Sequence, residues 1–480
     1  MRRTWWAIFI PVALLLLVAI PNILSGNNRG RGYSDQVNYH ERIIADFSAQ
    51  WPRPDLSDYP GVMTPLYHLI LAGIDHAIAP QIRTLQLIAS VFGPLTIIVA
   101  GWWASRTGRG LTTLALLLPL AACMYIWDST IWLLPDNMAW MLVAAIVGLF
   151  MLGAPARPPR MHTTLAIAGV LLAVLIATRQ SNIWLASLAW MYAFVRDDDD
   201  SQTLPAALGD LRTRIGPVVL AVLWTLPAFL VLAWFYRTWG GRFQPPMWDE
   251  WYARRWNLSA PAFVLGLIGL VSLFFAGFWW KTLIHLVRTR TWWMVLAFIS
   301  AGLAAAIGRS DYDMSMGRYG AIWNIADKFP SVGGRSLLMV GLAAMAGPII
   351  AAWAMSLGFR ARWIFLTALA AFGTTQLKNP WLYERYVDPL LLVLFAFAGA
   401  SIVMRENAGT RPTFTSAPAF GTPGSAVEDA VGRMSPAARL AGPIVLALLF
   451  AAMGLQTLRT AREAKVLPPG EIGSPPSARR

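Results

Sequence analysis

The stretch that decides the fold runs from Trp5 to Leu24 and reads WWAIFIPVALLLLVAIPNIL. A run of roughly 20 apolar residues is long enough to cross about 30 Å of hydrocarbon as a helix. Comparable runs recur to the far end of the chain, and their pattern predicts about 13 membrane spans. The sequence therefore predicts an all-α protein, a polytopic transmembrane helical bundle.

Composition fits this class and excludes several others. The chain is 56% hydrophobic and 13% charged, with a formal net charge of +14. In a membrane protein, excess Lys and Arg serve orientation and contact with anionic lipid, so the charge does not predict a nucleic-acid partner. The single cysteine, Cys123, excludes an internal disulfide. The five histidines show no paired metal spacing and no phosphate-binding loop occurs, so we expect no metal, no cofactor and no nucleotide donor.

The predicted spans divide the chain into four parts. Residues 1–404 form the main bundle, 405–440 a flexible cytoplasmic linker, 441–460 the last span and 461–480 a disordered tail. Within the bundle, 25–82 is a polar outer loop whose part 66–79 is an interfacial helix, too short to span. The spans are predicted at 5–24, 84–104, 111–127, 137–153, 163–178, 181–195, 214–237, 261–280, 292–308, 335–357, 363–378, 387–404 and 441–458.

The positive-inside rule favours this arrangement, since Arg106, Arg157, Arg360 and other basic residues then lie on the cytoplasmic side. The chain is thus predicted to be a multi-pass protein of the bacterial inner membrane. Its outer end carries many acids and arginines, which either pair with one another or hold an anionic ligand.

Arg179 is the sharpest case among these residues. It sits between two apolar runs with almost no loop, where an arginine costs about 2.5–3.5 kcal/mol on insertion scales. Such a residue either faces a cavity or a partner, or snorkels at a tight turn. Asp136 follows Pro135 at a span start and is either a helix cap, a functional acid or both.

Other polar residues allow two interpretations each. Glu384 and Arg385 are adjacent, so a solvated ion pair is the simpler reading. The tryptophan-rich segment 240–257 could cover the interface or cradle a sugar. His40, Glu41 and Arg42 are expected on a helix surface.

Four short motifs, and more loosely a fifth, resemble the GT-C superfamily of membrane glycosyltransferases, and most closely its alpha-1,2-glucosyltransferase family. Residues 33–36 (YSDQ) resemble the Tyr-x-Asp-Glu of that family, and 64–67 (TPLY) its Thr-Pro-Pro-x-Leu-Tyr. Residues 135–137 (PDN) stand where that family has an acid in the next outer turn. Residues 179–183 (RQSNI) resemble its Arg-Gln-Thr-Asn-Ile, the most specific of the four. Residues 384–386 (ERY) loosely resemble a late Asn-Arg-His-Tyr segment, without its amide and histidine.

The resemblance implies a function. The donor would be a sugar, with glucose expected, linked to polyprenyl phosphate, and the acceptor an outward-facing glycan or lipid. Asp35 is then the candidate base, Asp136 positions the acceptor or shares the base role, and Arg179 and Arg385 bind the donor phosphate. The remaining substrate-binding candidates are Tyr33, Gln36, Thr64, Tyr67, Gln180, Asn182, Glu384 and Tyr386. The alternative is a transporter or flippase for an anionic lipid-linked substrate, which would also need arginines near the membrane.

Overall fold

A computed structural model describes residues 4–27, 29–156, 159–195, 209–248, 256–318, 320–408 and 436–460, which are almost entirely α-helical. The helices of the first half are α1 Trp6–Ser25, α2 Arg31–Asp35, α3 Glu41–Ala49, α4 Leu66–Ile78, α5 Ile82–Ala89, α6 Phe92–Ala104, α7 Gly110–Ala122, α8 Met124–Ile131, α9 Asp136–Leu152, α10 Arg160–Thr178, α11 Ala186–Val195 and α12 Leu211–Thr238. The second half has α13 Ala260–Leu273, α14 Ala276–Thr289, α15 Thr291–Ala306, α16 Ala321–Ala326, α17 Leu337–Ser356, α18 Phe359–Gln376, α19 Asp388–Asn407 and α20 Pro436–Thr460.

Shorter elements connect these helices. A π-helical turn, Gln36–His40, joins α2 to α3. Among the described residues, one two-stranded antiparallel hairpin pairs Ser331–Val332 with Arg335–Ser336. The 3-10 turns are Ser105–Thr107, Gln180–Leu185, Pro246–Trp248, Met314–Met316 and Glu384–Tyr386.

In the described part of the chain, seven helical segments are long and apolar enough to cross a membrane, or up to nine if each of two bent helix pairs is one span. The bent pairs are α7–α8, which turns by 61°, and α13–α14, which turns by 104°. The seven are Trp6–Ser25, Ile82–Thr107, Arg160–Thr178, Leu211–Thr238, Leu337–Ser356, Asp388–Asn407 and Ala437–Thr460.

The expectation of about 13 spans is not confirmed. Each predicted span coincides with helical structure, but four of them fall on helices that lack the length or hydropathy of a span. Helices α9, α11 and α15 have 17, 10 and 16 residues. Helix α18 has 18 residues but carries Arg360 and Arg362 in its first turn, which lowers its mean hydropathy.

Helix α19 lies at the centre of the bundle. Its apolar window is 89% buried, and it packs against α6, α7, α9, α13 and α18. The reason is its sequence, in which residues 389–400 are apolar on every face of the helix, and such a helix is stable only when surrounded. Because α19 is fixed on all sides, the 3-10 turn just before it is fixed as well.

The predicted outer loop contains short helices rather than a span. Helices α2, α3 and α4 have 5, 9 and 13 residues, and α4 matches the apolar segment that was expected to lie in the interface. Helices α3 and α4 pack together over a small second core, which includes Ile44, Phe47, Tyr59 and Leu71. This core holds the loop against the bundle.

Two arginines bind backbone carbonyls at the C-terminal end of α9. Arg360 donates to the carbonyls of Ala154 at 2.5 Å and Gly153 at 2.9 Å, and Arg106 donates to Leu152 at 2.7 Å. These carbonyls belong to the last residue of α9 and the two residues after it, where the helix has no internal donors left. Basic residues that the positive-inside rule counts for orientation thus also cap a helix.

Two predicted segments fall mostly outside the described residues. Of the predicted linker 405–440, residues 409–435 are not described, and neither is the predicted tail 461–480. Helix α19 extends to Asn407 and α20 begins at Pro436, so both helices reach into the predicted linker. The predicted last span, 441–460, lies within α20.

Candidate functional site

Asp35 and Arg385 form an ion pair of 2.6 Å between Oδ2 and Nη1. Asp35 ends α2, and Arg385 lies in the 3-10 turn that precedes the central helix α19. Both side chains are about one-fifth exposed, at 21% and 22%. The pair therefore joins the short-helix region to the core of the bundle, at a position that a ligand can still reach.

Asp136 and Arg179 form a second ion pair. Asp136 is the first residue of α9, and Arg179 directly follows the last residue of α10. Their side chains are 11% and 13% exposed. The interpretation of Arg179 as a residue that faces a partner is confirmed at this point, because its guanidinium turns inward to a carboxylate.

Tyr386 joins the two pairs. The guanidinium carbons of Arg179 and Arg385 lie 4.7 and 4.9 Å from the centroid of its ring. Arg385 Nη2 also donates to the Tyr386 hydroxyl at 2.8 Å. We call Asp35, Asp136, Arg179, Arg385 and Tyr386 the charged cluster. It contains two acids and two arginines, so its own charges balance.

Neighbouring charged groups keep Asp35 and Arg179 in their ionised forms. Burial alone would raise the pKa of Asp35, but the charges of Arg385 and Arg31 outweigh it and lower that pKa from its ordinary value. Burial would lower the pKa of Arg179, but Asp136 raises it. Asp35 is thus ionised and Arg179 charged at neutral pH, as a base and an anion-binding group require.

Glu384 has a different role from its neighbour Arg385. Its two carboxylate oxygens accept from the Ile322 N–H at 2.7 Å and from the Tyr125 hydroxyl at 3.0 Å, and the residue is 4% exposed. Burial raises the pKa of Glu384. The reading of a solvated Glu384–Arg385 pair is therefore wrong, because the 3-10 turn directs the two side chains to different partners. Glu384 holds the segment around Ile322 against the bundle.

Thr64 and Gln180 connect the outer loop to α10. The Thr64 hydroxyl donates to the Ile176 carbonyl at 2.5 Å, and the Thr64 N–H donates to Gln180 Oε1 at 2.9 Å. Gln180 Nε2 donates to the Val62 carbonyl at 3.2 Å. Thr64 is completely buried. These contacts fix the loop beside Arg179, and substrate contact by either residue stays a prediction.

Tyr67 and Asn182 are also buried, at 1% and 5% exposure. The Tyr67 hydroxyl has no hydrogen-bond partner among the described residues, and its ring packs edge-on against His68. The Asn182 N–H donates to the Arg179 carbonyl at 3.2 Å, inside the turn that follows α10. Both residues support the cluster by packing, and their predicted contact with substrate is likewise untested.

A cavity of about 300 Å³ is lined in part by Tyr33 and Gln36, and Gln36 directly follows Asp35 of the charged cluster in the chain. Gln36 Oε1 accepts from Gln86 Nε2 and from the Leu133 N–H, each at 3.0 Å. We call the cavity that Tyr33 and Gln36 line the amide-lined cavity. Its polar lining includes Asn22, Tyr33, Gln36, Glu41, Arg83 and Gln86.

Three buried polar residues lie next to the cluster without having been predicted there. His40 Nδ1 is 2.8 Å from His68 Nε2, and His68 Nδ1 is 2.8 Å from the Tyr59 hydroxyl. The expectation that His40 lies on a helix surface is wrong, because the residue is only 7% exposed. No sequence signal pairs His40 with His68, since 28 residues separate them.

Two further charged residues near the cluster, Arg31 and Asp128, were not among the predicted site residues. Arg31 and Asp128 interact electrostatically with the cluster, and the Arg31 guanidinium lies 4.2 Å from the Tyr383 ring centroid. The signal for Asp128 was an acid within an apolar run.

Two indole groups attach the tryptophan-rich segment 240–257, and Trp239 just before it, to the predicted outer loop. Trp239 Nε1 and Trp248 Nε1 donate to the carbonyls of Leu56 and Pro60, each at 3.0 Å. Residues 249–255 lie outside the described residues, so the choice between a cover and a sugar cradle stays open.

Within the described residues, no group of three or more His, Cys, Asp or Glu side chains could hold a metal ion. A comparison with models of known protein families and with curated proteins finds no match.

Proposed function

We propose that this protein is a membrane glycosyltransferase of the GT-C type. It transfers a sugar, with glucose expected, from polyprenyl phosphate to a hydroxyl of a glycan or lipid acceptor. The observation that carries the proposal is the convergence of Asp35, Asp136, Arg179 and Arg385 from four separate segments into one cluster. This combination supplies a base and two phosphate-binding groups at one site.

Asp35 is the proposed base. In a direct displacement the acceptor oxygen forms a bond to the anomeric carbon while the bond from that carbon to the phosphate oxygen breaks. The acceptor hydroxyl gives its proton to the Asp35 carboxylate, and the configuration at the anomeric carbon inverts. Such assistance contributes typically about 10²–10⁴ in rate. Asp136 orients the acceptor or shares the base role.

Arg179 and Arg385 are the proposed phosphate ligands. The planar guanidinium fork binds phosphate oxygens in a bidentate manner and stabilises the negative charge that develops on the leaving group. Among the described residues, the buried Arg385 Nε has no hydrogen-bond partner, so this N–H still lacks an acceptor. Tyr386 keeps the two guanidinium groups close together.

The surroundings of the cluster support a lipid-linked sugar. The polyprenyl chain would lie among lipids beside the apolar helices, and the sugar would occupy the amide-lined cavity, whose volume is at the lower end of the range for ligand pockets. We further propose that the site faces outward from a bacterial inner membrane, where nucleotide sugars are absent. The partners are then the donor lipid, the acceptor and membrane lipids.

The test is release of free polyprenyl phosphate. The full chain is reconstituted in vesicles with radiolabelled polyprenyl-phosphate glucose and a mixed glycan and lipid extract as acceptor. We expect Asp35→Asn to lower release by about 10²–10⁴. The matched control is Asp327→Asn, the same chemical change at an exposed carboxylate outside the cluster.

Normal release by Asp35→Asn in a correctly folded protein would overturn the assignment of the base. Movement of the donor lipid between leaflets without any release of polyprenyl phosphate would instead support the transporter. One reconstituted preparation and one labelled donor therefore distinguish a glycosyltransferase from a transporter.

A further inference from the structure

Tyr59, His68 and His40 form a continuous hydrogen-bonded chain that leads to the charged cluster. Each of its two links is 2.8 Å long, and the three residues are 0%, 0% and 7% exposed. Polar groups buried to this degree must use their donors and acceptors within the protein. The positions of the protons along the chain can therefore be worked out from its closed end.

The closed end is Tyr59. Among the residues that the structure describes, its hydroxyl has one hydrogen-bond partner, His68 Nδ1. Burial raises the pKa of Tyr59 well above its ordinary value, so the phenol keeps its proton. If the O–H pointed elsewhere it would be a buried donor without an acceptor, which costs roughly 1–3 kcal/mol. Tyr59 therefore donates to His68 Nδ1.

The remaining protons follow in order. A neutral histidine carries one ring proton, so His68 accepts at Nδ1 and carries its proton on Nε2. That N–H donates to His40 Nδ1, which leaves the proton of His40 on Nε2. Burial is the largest influence on His40 and lowers its pKa to about 4, so His40 is neutral at physiological pH.

His40 Nε2 lies at the open end of the chain. Within the described part of the protein it has no hydrogen-bond partner. His40 closes the π-helical turn Gln36–His40, in which residues five apart are joined through the backbone. Such a turn brings His40 to the side of Asp35, five residues earlier. The groups that influence the charge of His40 are Asp35, Asp136, Arg385 and Arg179.

We propose that His40 is a substrate-binding residue, a neutral donor whose Nε2–H binds an oxygen of the sugar-phosphate donor, and that His68 and Tyr59 are positioning residues that fix its tautomer. The nature of the ligand rests on the proposed function, whereas the tautomer does not. The arrangement places an uncharged donor beside two carboxylates and two arginines that are already paired.

The first test reads the tautomers without any substrate. The full chain, labelled with ¹⁵N-histidine and reconstituted in lipid, is studied by solid-state NMR, which distinguishes protonated from unprotonated ring nitrogens. The signals are assigned by their loss in His40→Gln and His68→Gln. We expect both residues to carry the proton on Nε2 at pH 7. A proton on Nδ1 of His40 would overturn the proposal.

Tyr59→Phe removes the donor that sets the direction of the chain. We expect at least one of the two histidines to change its tautomer in this variant. The matched control is Tyr67→Phe, because the Tyr67 ring packs against the same His68 while its hydroxyl has no hydrogen bond in the part of the chain that the structure describes. Unchanged tautomers in a folded Tyr59→Phe protein would overturn the positioning role. If that variant does not fold, the wild-type tautomers alone decide.

The second test measures donor binding, with unlabelled polyprenyl-phosphate glucose as the probe. We expect donor to shift the His40 Nε2 resonance, and His40→Leu to weaken donor affinity about 10-fold, as for one lost hydrogen bond. His40→Gln, whose amide nitrogen can take the place of Nε2, should retain most of the affinity. Equal affinity of the wild-type and Leu proteins would overturn the binding role. An expected tautomer pattern with no donor binding at all would count against the proposed function instead.

Discussion

Arg385 and Asp35 lie 350 residues apart in the chain and meet in an ion pair of 2.6 Å. One partner belongs to the short helices that follow the first apolar helix, and the other precedes the most buried helix of the bundle. Because α19 cannot move without disturbing its neighbours on every side, Arg385 is a fixed point. The position of Asp35, and of the turn that carries it, depends on that point.

The pair should contribute to stability as well as to any chemistry. We expect Asp35→Asn and Arg385→Gln each to destabilise the protein, since each leaves one partly buried group without its partner. In a double-mutant cycle the two changes should be non-additive by roughly 0.5–3 kcal/mol. Solvent screening places the value toward the lower end, because each side chain is about one-fifth exposed. The measurement is unfolding of the purified full chain in detergent.

A comparison pair is available in Arg439 and Glu406, whose side chains are 21% and 37% exposed and lie 2.7 Å apart. The coupling there should not exceed roughly 1 kcal/mol. Additive effects at Asp35 and Arg385 would mean that the ion pair is not maintained in solution.

Arg179 should act on the donor rather than on the acceptor. We expect Arg179→Ala to weaken binding of polyprenyl phosphate without its sugar, and Arg179→Lys to recover only part of the loss. Lysine keeps the charge but lacks the planar fork that contacts two phosphate oxygens. A lipid-binding assay at several salt concentrations measures this. Unchanged phosphate affinity in Arg179→Ala would reduce Arg179 to a structural partner of Asp136.

The sequence anticipated the positions of the helices and several members of the cluster. Both are local features, since an apolar run and a charged residue at its end can be recognised within a few turns of helix. Asp136 and Arg179 were recognised in this way, whereas Asp35 was chosen by its position and motif and Arg385 through the motif resemblance. The number of spans was not confirmed, because four of the predicted spans fall on helices that are too short or too polar to count as spans, and two others are bent within the span.

The sequence did not predict which side chains contact each other, either for residues far apart in the chain or for residues adjacent in it. Glu384 and Arg385 are adjacent, and adjacency suggested an ion pair, but the 3-10 turn separates their side chains. His40 and His68 are the opposite case, since they meet only because α3 and α4 pack together over a second core. Such pairings are properties of tertiary structure and leave no local pattern.

Glu384 should behave as a structural residue. Its two oxygens accept from Ile322 and Tyr125, and Gln can replace only one acceptor while directing an amide N–H at the other donor. We expect Glu384→Gln to lower stability by roughly 1–3 kcal/mol. Thermal unfolding measures the loss, and Glu406→Gln on the more exposed pair is the matched control. A stable Glu384→Gln protein without activity would return Glu384 to the substrate-binding residues.

His40 should make the stability of the protein depend on pH. Burial lowers its pKa to about 4, whereas an unfolded histidine titrates near 6.5. Between these values the unfolded state binds the proton and the native state does not, so stability is full above about pH 6.5 and falls as the pH is lowered toward 4. The slope from this one residue is up to about 1.4 kcal/mol per pH unit. Asp35 contributes only below this window, because its pKa is lowered from 3.8.

The measurement compares the free energy of unfolding of wild type and His40→Gln between pH 4 and 7. We expect a shallower dependence in the variant, since Gln does not titrate. The control His76→Gln makes the same chemical change at an exposed histidine on α4, outside the charged cluster. Equal slopes for wild type and His40→Gln would mean that His40 takes up its proton in the native state. A charged His40 would donate from both ring nitrogens, and the direction of the Tyr59–His68–His40 chain would then be lost.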